Sequence, residues 1–335
     1  VMDYKQAKGW LVGKPNQGMS TMFTMMNNAR LGVAVQGLSQ AERALQKAVR
    51  HSRDRKQGRS QIENGVGTII DHADVRKNLL SMKALTSVSR SLCLDTAISI
   101  DLARDSGSSV FSNRAAFLIP IAKAFSTDNG CRVSDIGIQV HGGLGFIESS
   151  GVPQLYRDAR ITAIYEGTNG IQGIDLVNRK LSDGGVAGFA LIEEIISTEQ
   201  LCSRTGIIGD ELIEEFCVAR LSLFKALKWM LDAKNLNERY AGATQFLKAF
   251  GIILGAHYLV KGAAKSRNVE KIELAKFYLE HILPESISAI RLRRPIMLTI
   301  KLHPLGAIGM AGRPCGPPSA STIFAGGRQK WRSLS

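Results

Sequence analysis

The sequence predicts an all-α chain of two successive helical units, and three observations carry that prediction. Apolar residues recur at three- and four-residue steps over most of positions 19–282, which is the helical period. A strand-like apolar run occurs only near the start, and none is found in the second half. The first three apolar stripes are long, as the helices of a bundle are.

Each element follows from local spacing. Lys8 to Gly18 reads as a short strand closed by Gly, Pro and Asn turn chemistry. Together with the Val at position 1, it fits residues 1–18 as the last strand of a β-domain, the chain beginning partway through it. From Met19 to Arg53 the stripe runs through Met22, Met26, Leu31, Val35, Leu38, Ala41, Leu45 and Val49. After a glycine-rich break, Val75 to Ala103 carries Leu79, Met82, Leu85, Val88 and Leu92, and Ala115 to Val140 gives a third helix. Glycines at 137, 142, 143, 145 and 151 predict a tight loop with its backbone close to something. A shorter helix is expected from Pro153 to Arg160, then a non-helical connection from Ile164 to Asn169. Asn169 with Gln172 resembles a capping pair opening the next helix. The first unit spans 19–182. Past a linker at 182–188, a second unit at 189–285 holds about four further helical patterns. Residues 286–335 read as a disordered basic tail rich in Gly and Pro.

Composition sets the outer limits. The chain has 335 residues, 44% hydrophobic and 21% charged, about two domains' worth of ordinary globular sequence rather than a disordered or fibrous one. Its net charge of +14 would raise nucleic acid as a partner, but eight Lys and Arg with no acidic residue lie between Arg291 and Ser335. More than half of the excess is therefore in the tail. The sudden loss of acidic residues there fits a change of reading frame as well as a basic extension. Five scattered cysteines without a C-x-x-C pair argue against a disulfide framework or structural zinc. The apolar run Ala249 to Val260 falls short of the roughly 20 residues of a spanning helix. No secretory pattern opens the chain. A soluble, cytoplasmic protein with no membrane partner is expected.

Several chemistries lose their usual signatures. The six histidines form no H-E-x-x-H and no pairing with cysteine at ligand spacing, so no metal site is expected. Neither a G-x-S-x-G elbow nor a Walker A loop is present, and the glycines at 142–145 follow a helix and lack the third glycine of a dinucleotide fingerprint. What remains is Glu166, set between Tyr165 and Gly167 at the mouth of a helix. Apolar neighbours and a helix N-terminus act on a carboxylate in opposite senses, so environment can tune a general base there. Taken alone, a glutamate in that position is more often a capping carboxylate.

Several segments together resemble the C-terminal helical domain of the acyl-CoA dehydrogenase family. RDARITAIYEGTNGIQ at 157–172 looks like the signature around that family's catalytic glutamate, and IQVHGGLGF at 138–146 like its flavin loop. NNAR, AERAL and RDRKQG match its first long helix. HADVRK at 72–77 and AGATQFLKAFG at 241–251 are similar to the longer members, the 3-methylmercaptopropionyl-CoA dehydrogenases among them. The resemblance implies FAD as cofactor and Glu166 as the base that takes the α-proton of an acyl-CoA. It places Arg30 and Gly167 by the substrate, and Thr168, Asn169 and Gly170 against the flavin. Arg55, Gln139, Gly142 and Gly143 match positions that contact the adenine and pyrophosphate end of an FAD bound by a neighbouring subunit, which implies a homo-oligomer. Electrons would pass to an electron-transfer flavoprotein.

Two departures touch single flavin contacts. Ala73 stands where many members carry glutamine, and RKQG lacks their phenylalanine. The larger departure is that the N-terminal helical domain and most of the middle β-domain are not in this sequence, so a fragment inactive alone is expected. Two other readings compete: a non-catalytic flavoprotein relative that binds DNA through the tail, and a decayed gene product.

Overall fold

The computed structural model describes residues 3–60 and 62–291. The described residues form eleven α-helices and no strand. The expected strand at 8–18 is instead irregular chain leading into a helix, with Trp10 86% exposed. Without a neighbouring strand to pair with, its backbone has no ladder to join. The helix at 284–291 extends past the expected start of the tail, and Ser286, Ala289 and Ile290 on it are buried. Residues 292–335 lie outside the described residues, and with them the expectations of disorder, frame change and DNA binding.

Three long helices build the first unit: α1 (Gly18–Asp54), α2 (Ala73–Ser106) and α3 (Ser109–His141). α3 begins six residues before the apolar stripe does, and Pro120 lies inside it. α1 and α3 run parallel and touch backbone to backbone where Gly37 meets Gly130; a Cβ on Gly130 would stand 2.7 Å from the Gly37 carbonyl oxygen. Ala34, Ala41, Ala44 and Ala48 continue that close seam along α1. α2 returns antiparallel, with Met82 beside Gly137, Ser89 bonded to Asn129, and Cys93 beside Ser126. Four short segments follow: α4 (Gly143–Phe146), α5 (Val152–Thr162), α6 (Asn169–Asn178) and the turn that ends at Gly185.

The remaining helices are α7 (Val186–Thr205), α8 (Asp210–Asp232), α9 (Leu236–Ser266), α10 (Val269–His281) and α11 (Pro284–Arg291). The middle of α9, from Ala249 to His257, is almost wholly apolar and is covered on all sides. Gly251 lies on Phe125 of α3, Gly255 on Val88 of α2 and Tyr278 of α10, and Ala243 and Thr244 lie against Gly173 of α6. By length and composition α9 would suffice to cross a membrane, yet 72% of its most apolar window is buried, as in a core helix. Packing therefore runs on without a break across the turn at 182–185, and the described residues form one compact unit. A charged knot adds to it: Arg114 binds Asp95 at 2.8 Å and also Glu194, and the Tyr258 hydroxyl donates to Asp95 at 2.6 Å, tying α2, α3, α7 and α9 together. Cys93, Cys131, Cys202 and Cys217 are free thiols.

Candidate functional site

The residues singled out from sequence fall into two regions. Glu166, Gly167 and Thr168 sit on the connection between α5 and α6, Asn169 and Gly170 open α6, and Arg30 lies on α1. Arg55, Gln139, Gly142 and Gly143 gather in a cleft where α1 and α3 end. Arg30 and Arg55 are separated by roughly 25 residues of helix, about 37 Å along the axis.

The first region is a tight turn held from inside. Glu166 takes the left-handed conformation at φ +55° and Gly167 follows at φ +84°, so the chain reverses in two residues before α6 begins. The cap of α6 is Thr168, whose hydroxyl accepts from the Ile171 amide at 3.4 Å. This corrects the expected Asn169 and Gln172 pair. Gln172 is fully buried and donates from Nε2 to the carbonyls of Glu166 at 3.1 Å and Gly167 at 3.0 Å. Asn169 is turned inward: its amide nitrogen donates to the Ala124 carbonyl at 3.2 Å, Thr127 Oγ1 at 3.0 Å and Asp128 Oδ1 at 2.7 Å. Its oxygen accepts from Lys123 Nζ at 2.9 Å. Its side chain is thus committed to the bundle, which leaves the α6 first turn to face outward through Thr168 and Gly170. Tyr165 reaches across to Gln36 of α1 through its hydroxyl.

Beneath the turn, Arg30 is 2% exposed and its Nη1 donates to Asp175 Oδ2 at 2.6 Å. The other oxygen of Asp175 accepts from Arg179 at 2.6 Å. Arg30 Nε and Gln172 Oε1 make no hydrogen bond among the described residues, so a buried donor and a buried acceptor remain open here. Lys123 is fully buried as well, and burial pushes its pKa down to about 8.

The second region is an open cleft of about 800 Å³. Gly142 holds φ +58° and ψ −137°, a conformation that all but excludes other residues. Gly145 is required for another reason, since a Cβ there would stand 2.2 Å from the Ile138 carbonyl oxygen. Gly143 has neither constraint, and a Cβ on it would meet nothing within 4 Å; what its missing side chain leaves is room in the cleft. Arg55 is fixed through its backbone, its amide donating to the His51 carbonyl at 2.9 Å and its carbonyl accepting from Ile69 at 2.8 Å. His72 Nε2 lies 2.7 Å from the Gln57 carbonyl and pins the same loop. His51 and His141 stack at 4.4 Å, and burial holds both imidazoles below the usual histidine pKa.

Spacing and resemblance pointed to neither Lys123 nor Asp175, nor to the stacked histidines. A signal did exist for the first two. Lys123 stands within LIPIAKAF and Asp175 within IQGIDLV, each the single charge of a short, mostly apolar segment.

Comparison with known families identifies the class. The description "Acyl-CoA dehydrogenase, C-terminal domain" matches residues 16–181, and "Acetyl-CoA dehydrogenase C-terminal like" matches residues 190–292. The chain belongs to the acyl-CoA dehydrogenase family, as part of its C-terminal half. It is 39% identical to the 3-methylmercaptopropionyl-CoA dehydrogenase of Ruegeria pomeroyi, over 85% of this chain and 52% of that protein. It is 26% identical to the broad-specificity linear acyl-CoA dehydrogenase FadE5 of Mycobacterium tuberculosis, over 83% of this chain and 51% of that one. Among solved structures, Caenorhabditis elegans ACDH-11 in complex with C11-CoA shares the fold at a TM-score of 0.71 and 23% identity, with 81% of this chain and 46% of that one covered. The chain thus spans about half the length of these relatives.

Proposed function

We propose that this chain carries the base-bearing half of an FAD-dependent acyl-CoA dehydrogenase, which converts an acyl-CoA thioester to the trans-2-enoyl-CoA. The observation that carries the reading is the turn at Glu166. A carboxylate on left-handed backbone, followed by glycine and braced by buried groups, is a fixed base rather than a helix cap, a role Thr168 already fills.

The residues present fit the flavin. A Cβ on Gly170 would meet only Thr168 Oγ1 at 3.8 Å, so the first turn of α6 leaves free space there for a polar ring system. Thr168 and Gly170 would hold that end, and Asn169, expected beside the flavin, instead braces them from within through Lys123, Ala124, Thr127 and Asp128. In the other region, Arg55 supplies a guanidinium suited to a pyrophosphate, beside Gln139 and two glycines without obstructing side chains. The axial separation along α1 favours the two regions serving different flavins, which requires a second copy of the protein. Bound flavin supplies the acceptor for the hydride that leaves the β-carbon.

The work of this chain is to place a proton acceptor. Glu166 takes the α-proton, which is only weakly acidic and needs a carboxylate held in line with it. Gly167 must be glycine, since its left-handed backbone and the Gln172 amide, 3.0 Å from a Cβ placed there, leave no room for a side chain, and its backbone would lie by the thioester. Arg30, bound through Nη1 to Asp175, keeps its Nε–H without a partner among the described residues and can offer it to a ligand or a water. Reoxidation by an electron-transfer flavoprotein completes the cycle. Since the chain spans about half of its relatives, the opposite wall of the cleft comes from residues outside it, and the chain by itself is expected to be inactive.

The test is flavin retention followed by substrate bleaching. In protein that holds FAD through desalting, an acyl-CoA is expected to bleach the flavin absorbance, and Glu166→Gln to abolish bleaching while keeping the flavin. Bleaching that survives Glu166→Gln would overturn the assignment of the base.

A further inference from the structure

Lys123 lies in the interior of the first unit, on a turn of α3 where Leu118, Ile119, Ile121, Ala122, Ala124 and Phe125 are buried with it. Its Nζ donates to two neutral oxygens, the carbonyl of Gly167 at 2.9 Å and Oδ1 of Asn169 at 2.9 Å. Burying an ammonium against neutral acceptors is costly, and an apolar side chain would fill the same space without that cost. Both acceptors belong to the few residues that follow Glu166. The Gly167 carbonyl also accepts from Gln172, so two buried donors converge on one peptide oxygen. Left-handed backbone at a non-glycine residue is strained by about 1 kcal/mol or more and persists only where its surroundings over-determine it. Glu166 is in that state, and the peptide just beyond it is the one held.

We propose that Lys123 is the positioning residue of the Glu166 turn: through the Gly167 carbonyl and the Asn169 side chain, its ammonium fixes the left-handed backbone from which the carboxylate projects. The inference rests on the reading of Glu166 as the base for its functional meaning, but its geometry stands apart from that reading. Asn169 carries the bond onward to Ala124, Thr127 and Asp128, so one cation joins the turn to α3 at several points. Burial lowers the Lys123 pKa, and the nearby carboxylates of Asp128 and, more weakly, Glu166 act against that and favour its ammonium form.

The experiment is site-resolved hydrogen exchange on the chain as it stands, comparing wild type with Lys123→Met and Lys123→Arg. The amides to follow are Asn169, which donates to Ala163, and Gln172, which donates to Thr168, with α9 core amides as the reference for global stability. Lys123→Met is expected to speed exchange at Asn169 and Gln172 at least tenfold beyond any change in α9. Lys123→Arg, which keeps charge and donors, should restore most of the protection. A lysine that merely supports the fold would shift all these amides together and gain nothing specific from arginine, and that result would overturn the proposal. If Lys123→Met does not fold, Lys123→Gln keeps a donor without charge, and wild-type exchange in its turn would overturn the proposal equally. None of these readouts needs flavin or turnover, so failure of Glu166 as the base is detected separately, by the bleaching assay.

Discussion

At Glu166 the backbone is held from inside the bundle by buried charge, whereas at Gly142 the cleft is shaped by side chains that are missing. The turn is held by Lys123 and Gln172, and α6 behind it is tied to α1 by Arg30 and Asp175, all four buried and bonded. The cleft depends on Gly142 and Gly145, on a stacked histidine pair and on a loop pinned through its backbone. One region is held because its buried side chains are bonded to the backbone and to one another. The other is open because nothing fills it.

The sharpest way to break this contrast is Asp175→Ala. It leaves Arg30 as a buried cation without its carboxylate, and the loss expected is about 3–5 kcal/mol, read by urea unfolding. A loss below about 1 kcal/mol would show that the turn is not held by charge. Gly145→Ala tests the cleft in the same units: a Cβ forced against the Ile138 carbonyl should cost about 1–3 kcal/mol.

Acid separates the regions more finely. His51 and His141 both have pKa values lowered by burial, so the unfolded chain takes up protons first, and their contribution to stability is complete above about pH 6.5 and falls as pH drops below it. Their ring signals in an NMR titration should both turn over below 6.5, and His141→Phe should flatten the acid slope of stability. The smallest stability effect is Gly143→Ala, expected within about 0.5 kcal/mol of wild type since the new methyl meets nothing. Its effect should appear instead as weaker binding of FAD or ADP, measured by titration calorimetry. Unchanged binding would remove Gly143 from the cleft's ligand surface.

The helices were legible because their apolar stripes are long and regular. α1 and α2 came within about three residues of their ends, and the signature around Glu166 was spelled almost in full. The turn itself was less legible. Asn169 and Gln172 have the residue types of a capping pair, and only the packing against α3 shows that Thr168 takes the cap while Asn169 faces Lys123. Arg30 was visible as a residue, but its partner Asp175 lies 145 positions away, and no local pattern joins them. The apolar run at 249–260 marks only the middle of α9, whose first turn is polar yet belongs to the same helix. The run at 8–18 has strand composition without a partner strand, and composition alone does not supply a ladder.

The approach of α9 to α6 bears on how such a protein can be shortened. Gly173 admits the backbone at Ala243 and Thr244 so closely that a Cβ would stand 3.0 Å from the Thr244 nitrogen. A gene that stopped after the turn at 182–185 would uncover Val88, Phe125 and Gly173 at one stroke, two of them in the apolar interior and the third behind the Glu166 turn. The later helices are therefore not an optional appendix in this chain. Losing them would call for compensating substitutions in α2, α3 and α6 before the shorter protein could stay in solution.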